Sequence, residues 1–305
     1  MARTGARSDT GRAREGNEDR YLVREEGGVA LLAVADGVGG ASGGELAADA
    51  AINELAERFF SAPRDTETTD ALTGAIREAN SAVLSAAGSS GHPDAASTLV
   101  AAAIRGDRAV IANLGDSRAY IVRDARIRQL TEDHSGAPKH AITRFVGDPR
   151  GVQPDVFVES LRAGDRLLLC SDGLTRHVSP EEVATLVAGR DVQSAANALV
   201  DLANARGGED NVTVVVYAAR PSALVLRAPG RILAFSIFVA LVALVLGGSI
   251  AVLLSASPGA PATTPSPPPA ATPSATATES PSASPTESPS ASPAETPSAS
   301  PTGTP

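Results

Sequence analysis

The stretch VALLAVADGVGG, residues 29–40, passes from a continuous apolar run into an Asp-Gly pair and then into glycines. The run predicts a β-strand over Val29–Ala35, bounded by the turn residues that come after it. A strand end is a rigid place from which to aim a carboxylate, and the glycine after Asp36 lets a backbone carbonyl or a water molecule approach closely. The stretch therefore indicates a functional carboxylate at the end of a strand.

Four more acidic sites share this local form, an Asp beside Gly or Asn at the edge of a predicted strand. They are Asn17-Glu18-Asp19, Gly115-Asp116, Asp172-Gly173 and Asp210-Asn211. Each alone is more typical of a turn than of a ligand, because these dipeptides are common in turns. Several carboxylates that converge without cysteine or clustered histidine favour hard divalent cations, Mg²⁺ or Mn²⁺. Two such ions could activate water and clamp a phosphoryl group.

Residues 1–218 as a whole predict one mixed domain. Further strands are predicted at Tyr21–Arg24, Leu99–Ile104, Ala109–Asn113, Arg118–Val122, Ile127–Leu130, Arg166–Cys170 and Val212–Tyr217. Helical periodicity or capping signals mark Glu45–Phe60, Asp70–Ala87, a segment that opens at Ser179, and Val192–Ala205. Adjacent strands separated by paired long helices predict an α+β fold with antiparallel sheets rather than an alternating βαβ fold.

Residues 232–254 form an apolar segment of 23 residues without a charge. As a helix it would be roughly 34 Å long, enough to cross the hydrocarbon core of a bilayer. Arg220, Arg227 and Arg231 precede the segment and no basic residue comes after it. The positive-inside rule then predicts a single-pass protein of the cell membrane, with the 1–218 domain in the cytoplasm and 219–231 as a juxtamembrane linker.

Residues 255–305 consist mainly of Pro, Ser, Thr and Ala and hold 14 of the 22 prolines. Such a sequence has too few apolar residues to bury, so it predicts a disordered tail, here on the extracytoplasmic side. A spacer is the simpler interpretation of this composition than a recognition module.

The charge and cysteine content exclude several classes of function. The chain has a formal net charge of −9 and no basic run, which gives no support for nucleic-acid binding. Its single cysteine, Cys170, rules out an intramolecular disulfide and any multi-cysteine metal site. Cys170 lies in an apolar strand and is expected to be buried and inert.

The order of the acidic sites and their surroundings resembles a known family. The motifs are REGNED at 14–19, VADGVGG at 34–40, Ser97-Thr98, NLGDSRAY at 113–120, LTEDHS at 130–135, ITRFVG at 142–147, LLLCSDGLT at 167–175 and EDNVTVVV at 209–216. Together they resemble the bacterial metal-dependent protein phosphatase 2C family (PP2C, or PPM), in its membrane-tethered form. The resemblance covers essentially residues 5–218 and implies a four-layer αββα sandwich of two antiparallel sheets flanked by helices.

The resemblance also implies roles for individual residues. Asp36 would bridge two Mn²⁺ or Mg²⁺ ions, with the carbonyl of Gly37 on the first and Asp172 and Asp210 on the second. Asp116 matches a position that contributes to a third ion, Asp19 with Glu18 would orient metal-bound water, Arg14 would hold the phosphate, and Asn211 would help to fix the Asp210 loop. The implied reaction is hydrolysis of phosphoserine or phosphothreonine in proteins by metal-activated water, and the implied partner is a membrane Ser/Thr kinase that the enzyme opposes.

Two departures from the family pattern keep other hypotheses open. Val38 stands where animal members carry a histidine proposed as general acid, and only Ser135–Ala141 separate His134 from Ile142, where bacterial relatives usually insert a helical flap. The alternatives are a membrane-anchored pseudophosphatase that binds phosphoproteins without turnover, and a cell-envelope interaction protein in which the tail acts. The oligomeric state does not follow from the sequence.

Overall fold

The apolar run at 29–35 forms most of the inner strand β3 (Val29–Val38) in the computed structural model of the chain. Leu31 and Ala33 pack in one hydrophobic cluster and Leu32 and Val34 in another, and all four are fully buried. Because successive side chains of a strand point to opposite faces, a strand without polar alternation must be covered on both sides. One face of β3 meets two helices and the other meets a second sheet.

The structure describes residues 3–39, 43–136 and 141–219. All of them belong to the first of two compact units of the chain, which ends at Pro229. The predicted linker beyond residue 219, the predicted span 232–254 and the predicted tail 255–305 lie outside the described residues. None of the described helices is long and apolar enough to cross a membrane.

The first sheet has five antiparallel strands in the order β1-β13-β12-β7-β8. Its strands are β1 (Thr4–Asp9), β7 (Arg118–Arg123), β8 (Arg126–Gln129), β12 (Arg166–Cys170) and β13 (Val212–Ala218). Leu168 and Val214 pack on the helices α4 (Pro180–Ala188) and α5 (Val192–Ala205), while Leu169 and Val215 face the other sheet.

The second sheet runs in the order β11-β6-β5-β3-β2, with β4 paired to the end of β3. Its other strands are β2 (Asp19–Glu26), β4 (Ala96–Ser97), β5 (Leu99–Arg105), β6 (Arg108–Leu114) and β11 (Asp155–Ser160). Two long helices, α1 (Gly43–Ser61) and α2 (Thr68–Ser90), cover its outer face. The two sheets with helices on both outer faces confirm the predicted α+β fold.

Helices α1, α2, α4 and α5 lie where their periodicity and caps predict them. The hydroxyl of Ser179 accepts a hydrogen bond from the N–H of Glu182, whose carboxylate in turn accepts one from the N–H of Ser179. This reciprocal capping box fixes the start of α4. Alanines dominate the buried face of α1, so that helix can approach the sheet closely.

Five strands were missed from the sequence: β1, β4, β11, and the short pair β9 (Ser135–Gly136) and β10 (Ala141–Ile142). Strand β1 is an edge strand of sequence TGARSD that pairs with β13, and most of its residues remain partly exposed. A strand with little to bury has no hydrophobic pattern to reveal it. Strands β9 and β10 pair with each other at the two ends of the segment that stands in place of the helical flap of relatives, and residues 137–140 between them lie outside the described ranges.

Candidate metal centre

The predicted acidic residues meet at one end of the two-sheet sandwich. Asp19 begins β2, and in the strand pairing it lies opposite Asp36 near the end of β3. Asp116 comes after β6, Asp172 is the first residue of the short helix α3 (Asp172–Thr175) after β12, and Asp210 precedes β13. A cavity of about 290 Å³ opens here. It is lined by Arg14, Glu18, Asp36, Gly37, Val38, Gly39, Asp116, Ile142, Asp172, Arg176 and Asp210.

The backbone at Asp36 is held by the neighbouring Ser97-Thr98 pair. The N–H of Asp36 donates to Thr98 Oγ1 at 3.0 Å, and the carbonyl of Asp36 accepts from the N–H of Thr98 at 2.8 Å and from Ser97 Oγ at 3.1 Å. The hydroxyl of Thr98 also contacts Ser117 Oγ at 2.8 Å, next to Asp116. These bonds fix the backbone of Asp36 while its carboxylate faces the cavity.

A pair of glycines explains how α1 can begin beside this strand end. A Cβ on Gly37 would collide with the carbonyl of Gly44, and a Cβ on Gly44 would lie 2.8 Å from the carbonyl carbon of Gly37 and 2.9 Å from the carboxylate of Glu18. Only glycine at both positions permits this approach. The close contact places the first turn of α1 against the acidic end of the sheet.

Asp19 lies behind the cavity and is 2% exposed. Its Oδ2 accepts a hydrogen bond from Ser171 Oγ at 2.7 Å, whereas its Oδ1 is buried and has no hydrogen-bond partner among the described residues. Burial, together with the charges of Asp172 and Asp210, raises the pKa of Asp19 to about 7, against the hydrogen bonds that lower it. The group is thus a carboxylate whose ionised form the fold disfavours.

Other carboxylates of the cavity also have raised pKa values. Burial, followed by the charges of Asp19 and Asp172, raises the pKa of Asp36 well above its ordinary value. Burial also raises the pKa values of Asp116 and Glu18. Carboxylates gathered at this density need added positive charge if all of them are to be ionised at neutral pH.

Asn211 holds together the loops that carry Glu18 and Asp210. Its Oδ1 accepts from the N–H of Glu18 at 2.8 Å, and its Nδ2 donates to the carbonyls of Thr10 at 2.8 Å and Gly16 at 2.9 Å. The carboxylate of Asp210 accepts from the N–H of Asn211 at 2.9 Å. The amide thus uses its acceptor and both donors to position the two acidic segments.

Two arginines reach the cavity carboxylates, one predicted and one missed. Arg14 lies 3.0 Å from Asp210 Oδ1. Arg176, which sequence reasoning did not single out, donates from Nε to Asp172 Oδ2 at 2.9 Å and forms a second, shorter contact from its terminal nitrogen. The spacing of the two residues could have indicated this contact. Arg176 comes four residues after Asp172, so on a helix the two side chains lie one turn apart on the same face.

His134 lies outside the cavity and orders the loop before Asp116. Its Nδ1 accepts from the N–H of Gly115 at 3.1 Å, and its Nε2 lies 2.9 Å from Asp155 Oδ2. Arg144 contacts the same aspartate at 2.8 Å. These contacts give His134 a structural role beside the metal centre.

The rim of the cavity carries Val38, one of the departures from the family pattern, and Ile142, which directly follows the shortened segment. Val38 is 41% exposed, so its side chain meets solvent rather than the core. Ile142 in β10 also lines the cavity. Cys170, by contrast, is fully buried as expected, and burial raises the pKa of its thiol to about 12, which makes it inert.

The donor set fits hard divalent cations. The cavity offers carboxylate oxygens and the carbonyl of Gly37, and Asp19 Oδ1 and Asp172 Oδ1 are both buried without a hydrogen-bond partner in the part of the chain that the structure describes. As the side chains stand, the described residues contain no group of three or more acidic, histidine or cysteine side chains that could hold an ion. In this arrangement Asp210 contacts Arg14 and Asp172 contacts Arg176, so two of the carboxylates are paired with guanidinium groups.

Comparison with known proteins identifies the relatives of this domain. The profile described as Protein phosphatase 2C matches residues 11–211. The serine/threonine protein phosphatase PstP of Mycobacterium tuberculosis is 37% identical over 237 residues, which cover 71% of this chain and 45% of PstP. The serine/threonine phosphatase stp of Listeria monocytogenes is 34% identical over 240 residues, which cover 69% of this chain and 93% of stp. The chain therefore spans less than half the length of PstP and nearly all of stp.

Solved structures agree with these sequence matches. The catalytic domain of PstP in complex with two manganese ions superposes with a TM-score of 0.64 at 35% identity, covering 72% of this chain and 98% of that domain. The phosphatase MsPP of Mycobacterium smegmatis, in complex with cacodylate, has a TM-score of 0.60 at 32% identity, covering 70% of this chain and 97% of that one.

Proposed function

The chain belongs to the protein phosphatase 2C family, and from this premise we propose that it hydrolyses phosphoserine and phosphothreonine in proteins with Mn²⁺ or Mg²⁺ bound at the carboxylate cavity. The observation that carries the proposal is the convergence of Asp36, Asp172 and Asp210, from three separate elements, with the guanidinium of Arg14 in one cavity. A phosphate ester needs cations around its oxygens and a placed water molecule, and this cavity offers ligands for both.

The residues that would hold two ions are Asp36, Asp172, Asp210 and the carbonyl of Gly37, with Asp116 available to a third. Bound there, the ions would lower the pKa of a water ligand and withdraw charge from the phosphoryl oxygens. Because Ser97 and Thr98 fix the backbone of Asp36, the strand end that carries this carboxylate is ordered by bonds of the protein itself.

Arg14 would bind the substrate phosphate, and Asp19 would orient a water molecule. The side chain of Arg14 is 49% exposed at the cavity, so its planar guanidinium can turn from Asp210 to two oxygens of a phosphate. Ser171 holds Oδ2 of Asp19, so Oδ1 is the oxygen of this carboxylate left to orient a water molecule from behind the cavity.

The test is metal-dependent turnover by the purified full-length chain in detergent. Hydrolysis of a phosphothreonine peptide is expected with Mn²⁺ and is expected to stop in excess chelator. Asp36→Asn should lower turnover at least about 10³-fold, since it removes a shared metal ligand. Binding of the phosphopeptide without turnover at any Mn²⁺ concentration would instead favour the pseudophosphatase, and activity that persists in chelator would exclude the proposed chemistry.

We propose further that the enzyme acts at the cytoplasmic face of the cell membrane, anchored by residues 232–254. The support is the uncharged length of this segment and the arginines that precede it. Phosphorylated proteins, a membrane Ser/Thr kinase among them, are the proposed substrates. Recovery of the full chain in the soluble fraction of cells would overturn the anchor. If a chain that ends at residue 219 dephosphorylated its substrates in cells as well as the full chain does, the anchor would not be needed for function.

A further inference from the structure

The cavity contains a second guanidinium that no role in the proposed reaction uses. Arg176 caps the C-terminal end of the short helix α3, four residues after Asp172. Its side chain is 35% exposed and lines the same cavity as Arg14 and Asp36. It therefore lies close enough to act on the metal ligands and on a bound substrate.

The contacts of Arg176 engage one carboxylate strongly and a second one weakly. Its Nε and its terminal nitrogen both donate to Asp172 Oδ2, and the terminal nitrogen lies 3.8 Å from Asp210 Oδ2. The side chain of Asp172 is only 14% exposed. The guanidinium of Arg176 thus binds Asp172 Oδ2, an oxygen that the proposed reaction needs as a metal ligand.

The charge balance of the cavity changes when divalent ions enter. Five carboxylates and two guanidinium groups line it, so three negative charges have no partner among the lining residues when all the acids are ionised. Two divalent ions would balance these three charges together with that of Asp19 behind the cavity. A guanidinium bound to Asp172 would then lie beside an ion of the same sign, and the two would repel each other.

We propose that Arg176 competes with the metal for Asp172 and, once displaced, binds the substrate phosphate as a second guanidinium alongside Arg14, which contacts the same Asp210. The proposal rests on the proposed phosphatase function and specifies how its site selects both metal and substrate. In the metal-free protein Arg176 stabilises the Asp172 carboxylate, which raises the metal concentration needed to fill the site. In the loaded protein the same group faces a phosphate dianion, which a planar guanidinium binds through two hydrogen bonds.

The experiment measures metal binding and turnover separately in the full-length chain. Arg176→Gln should bind Mn²⁺ about threefold to tenfold more tightly by isothermal titration calorimetry, because one competing charge at a partly exposed site is removed. At saturating Mn²⁺ its KM for a phosphothreonine peptide should rise roughly tenfold, the usual effect of losing a hydrogen bond to a charged group. Arg176→Lys should keep the Mn²⁺ affinity near that of the wild type and show a smaller rise in KM.

Arg190→Gln is the matched control. Arg190 is exposed just beyond the end of α4 and contacts the carbonyl of Leu186 at 3.5 Å, so its loss should change neither quantity. Unchanged or weaker Mn²⁺ binding by Arg176→Gln would overturn the competition, and an unchanged KM would overturn the phosphate contact. Arg176→Met, which keeps an unbranched apolar stem without the charge, repeats both measurements if the Gln variant loses thermal stability. A wild-type chain that binds Mn²⁺ without turnover would count against the phosphatase function alone, since calorimetry would still decide the competition.

Discussion

The side-chain oxygen of Asn211 accepts a hydrogen bond from the backbone N–H of Glu18 at 2.8 Å, although 193 residues separate the two in the chain. This bond joins the segment before β2 to the segment before β13, and each segment carries an acidic residue of the candidate metal centre. The relative position of Glu18 and Asp210 is therefore set by one amide group, before any ion binds.

Asn211→Ala should destabilise the domain and weaken metal binding together. The substitution leaves the N–H of Glu18 and two carbonyls without their partner, which should lower the free energy of unfolding by about 2–3 kcal/mol. Loss of support behind the acidic residues should weaken Mn²⁺ binding roughly 10–100-fold. Chemical denaturation and calorimetry measure the two effects.

Asn197→Ala in the exposed part of α5 is the control, and it should lower the free energy of unfolding by less than about 0.5 kcal/mol. Equal effects of the two variants would remove Asn211 from its organising role.

Arg14→Lys should impair substrate binding far more than its retained charge suggests. An ammonium cannot form the two parallel hydrogen bonds that a guanidinium donates to a phosphate, so kcat/KM should fall roughly tenfold or more. Steady-state kinetics on a phosphothreonine peptide at saturating Mn²⁺ measures the change. Arg108→Lys is the control. Arg108 is exposed at the start of β6 and pairs with Glu67, so its replacement should leave kcat/KM unaltered. A normal kcat/KM for Arg14→Lys would show that the phosphate does not depend on this guanidinium.

Gly37→Ala and Gly74→Ala should change stability in opposite directions. A Cβ on Gly37 would strike the backbone of Gly44, so the start of α1 must shift, and the cost should be at least about 2 kcal/mol. A Cβ on Gly74, within α2, meets no atom of the described residues within 4 Å, and there alanine should stabilise by about 0.5–1 kcal/mol. Thermal unfolding of both variants decides the point. A harmless Gly37→Ala would mean that α1 does not approach the strand end this closely.

The metal-free protein should become less stable as the pH rises from 5 to about 7.5. Burial raises the pKa of Asp19 to about 7 in the folded state, whereas an unfolded aspartate has a pKa of about 3.9. Between these values the folded state binds more protons than the unfolded state, so its stability falls with rising pH. The raised pKa of Asp36 acts in the same direction. The midpoint of thermal unfolding, followed in chelator, measures the slope.

Asp19→Asn should flatten this slope, and Asp70→Asn, an exposed acid at the start of α2, should preserve it. Saturating Mn²⁺ should also remove the slope, because the ions favour the ionised carboxylates. A metal-free protein whose stability rises with pH across this range, as strongly in Asp19→Asn as in the wild type, would contradict the raised pKa.

The apolar runs gave reliable predictions of strands wherever both faces of a strand are covered. Strands β3, β5, β12 and β13 fall where continuous apolar segments predict them, because their side chains have no solvent-facing side. Edge strands β1 and β11 were missed because they bury too little to leave a pattern. Predicted strand Ile127–Leu130 is present as Arg126–Gln129, one residue earlier.

The sequence by itself determined the strand ends and the acids that stand on them, because a carboxylate beside a turn residue after an apolar run is a local property. Only the tertiary structure decided which charged and polar groups lie close enough to interact. The pairing of Arg14 with Asp210 and the bridge from Asn211 to Glu18 join segments remote in the chain, so they depend on strand order and register. Electrostatic energies depend on distance and burial, and neither quantity exists until strands that are remote in the chain lie side by side.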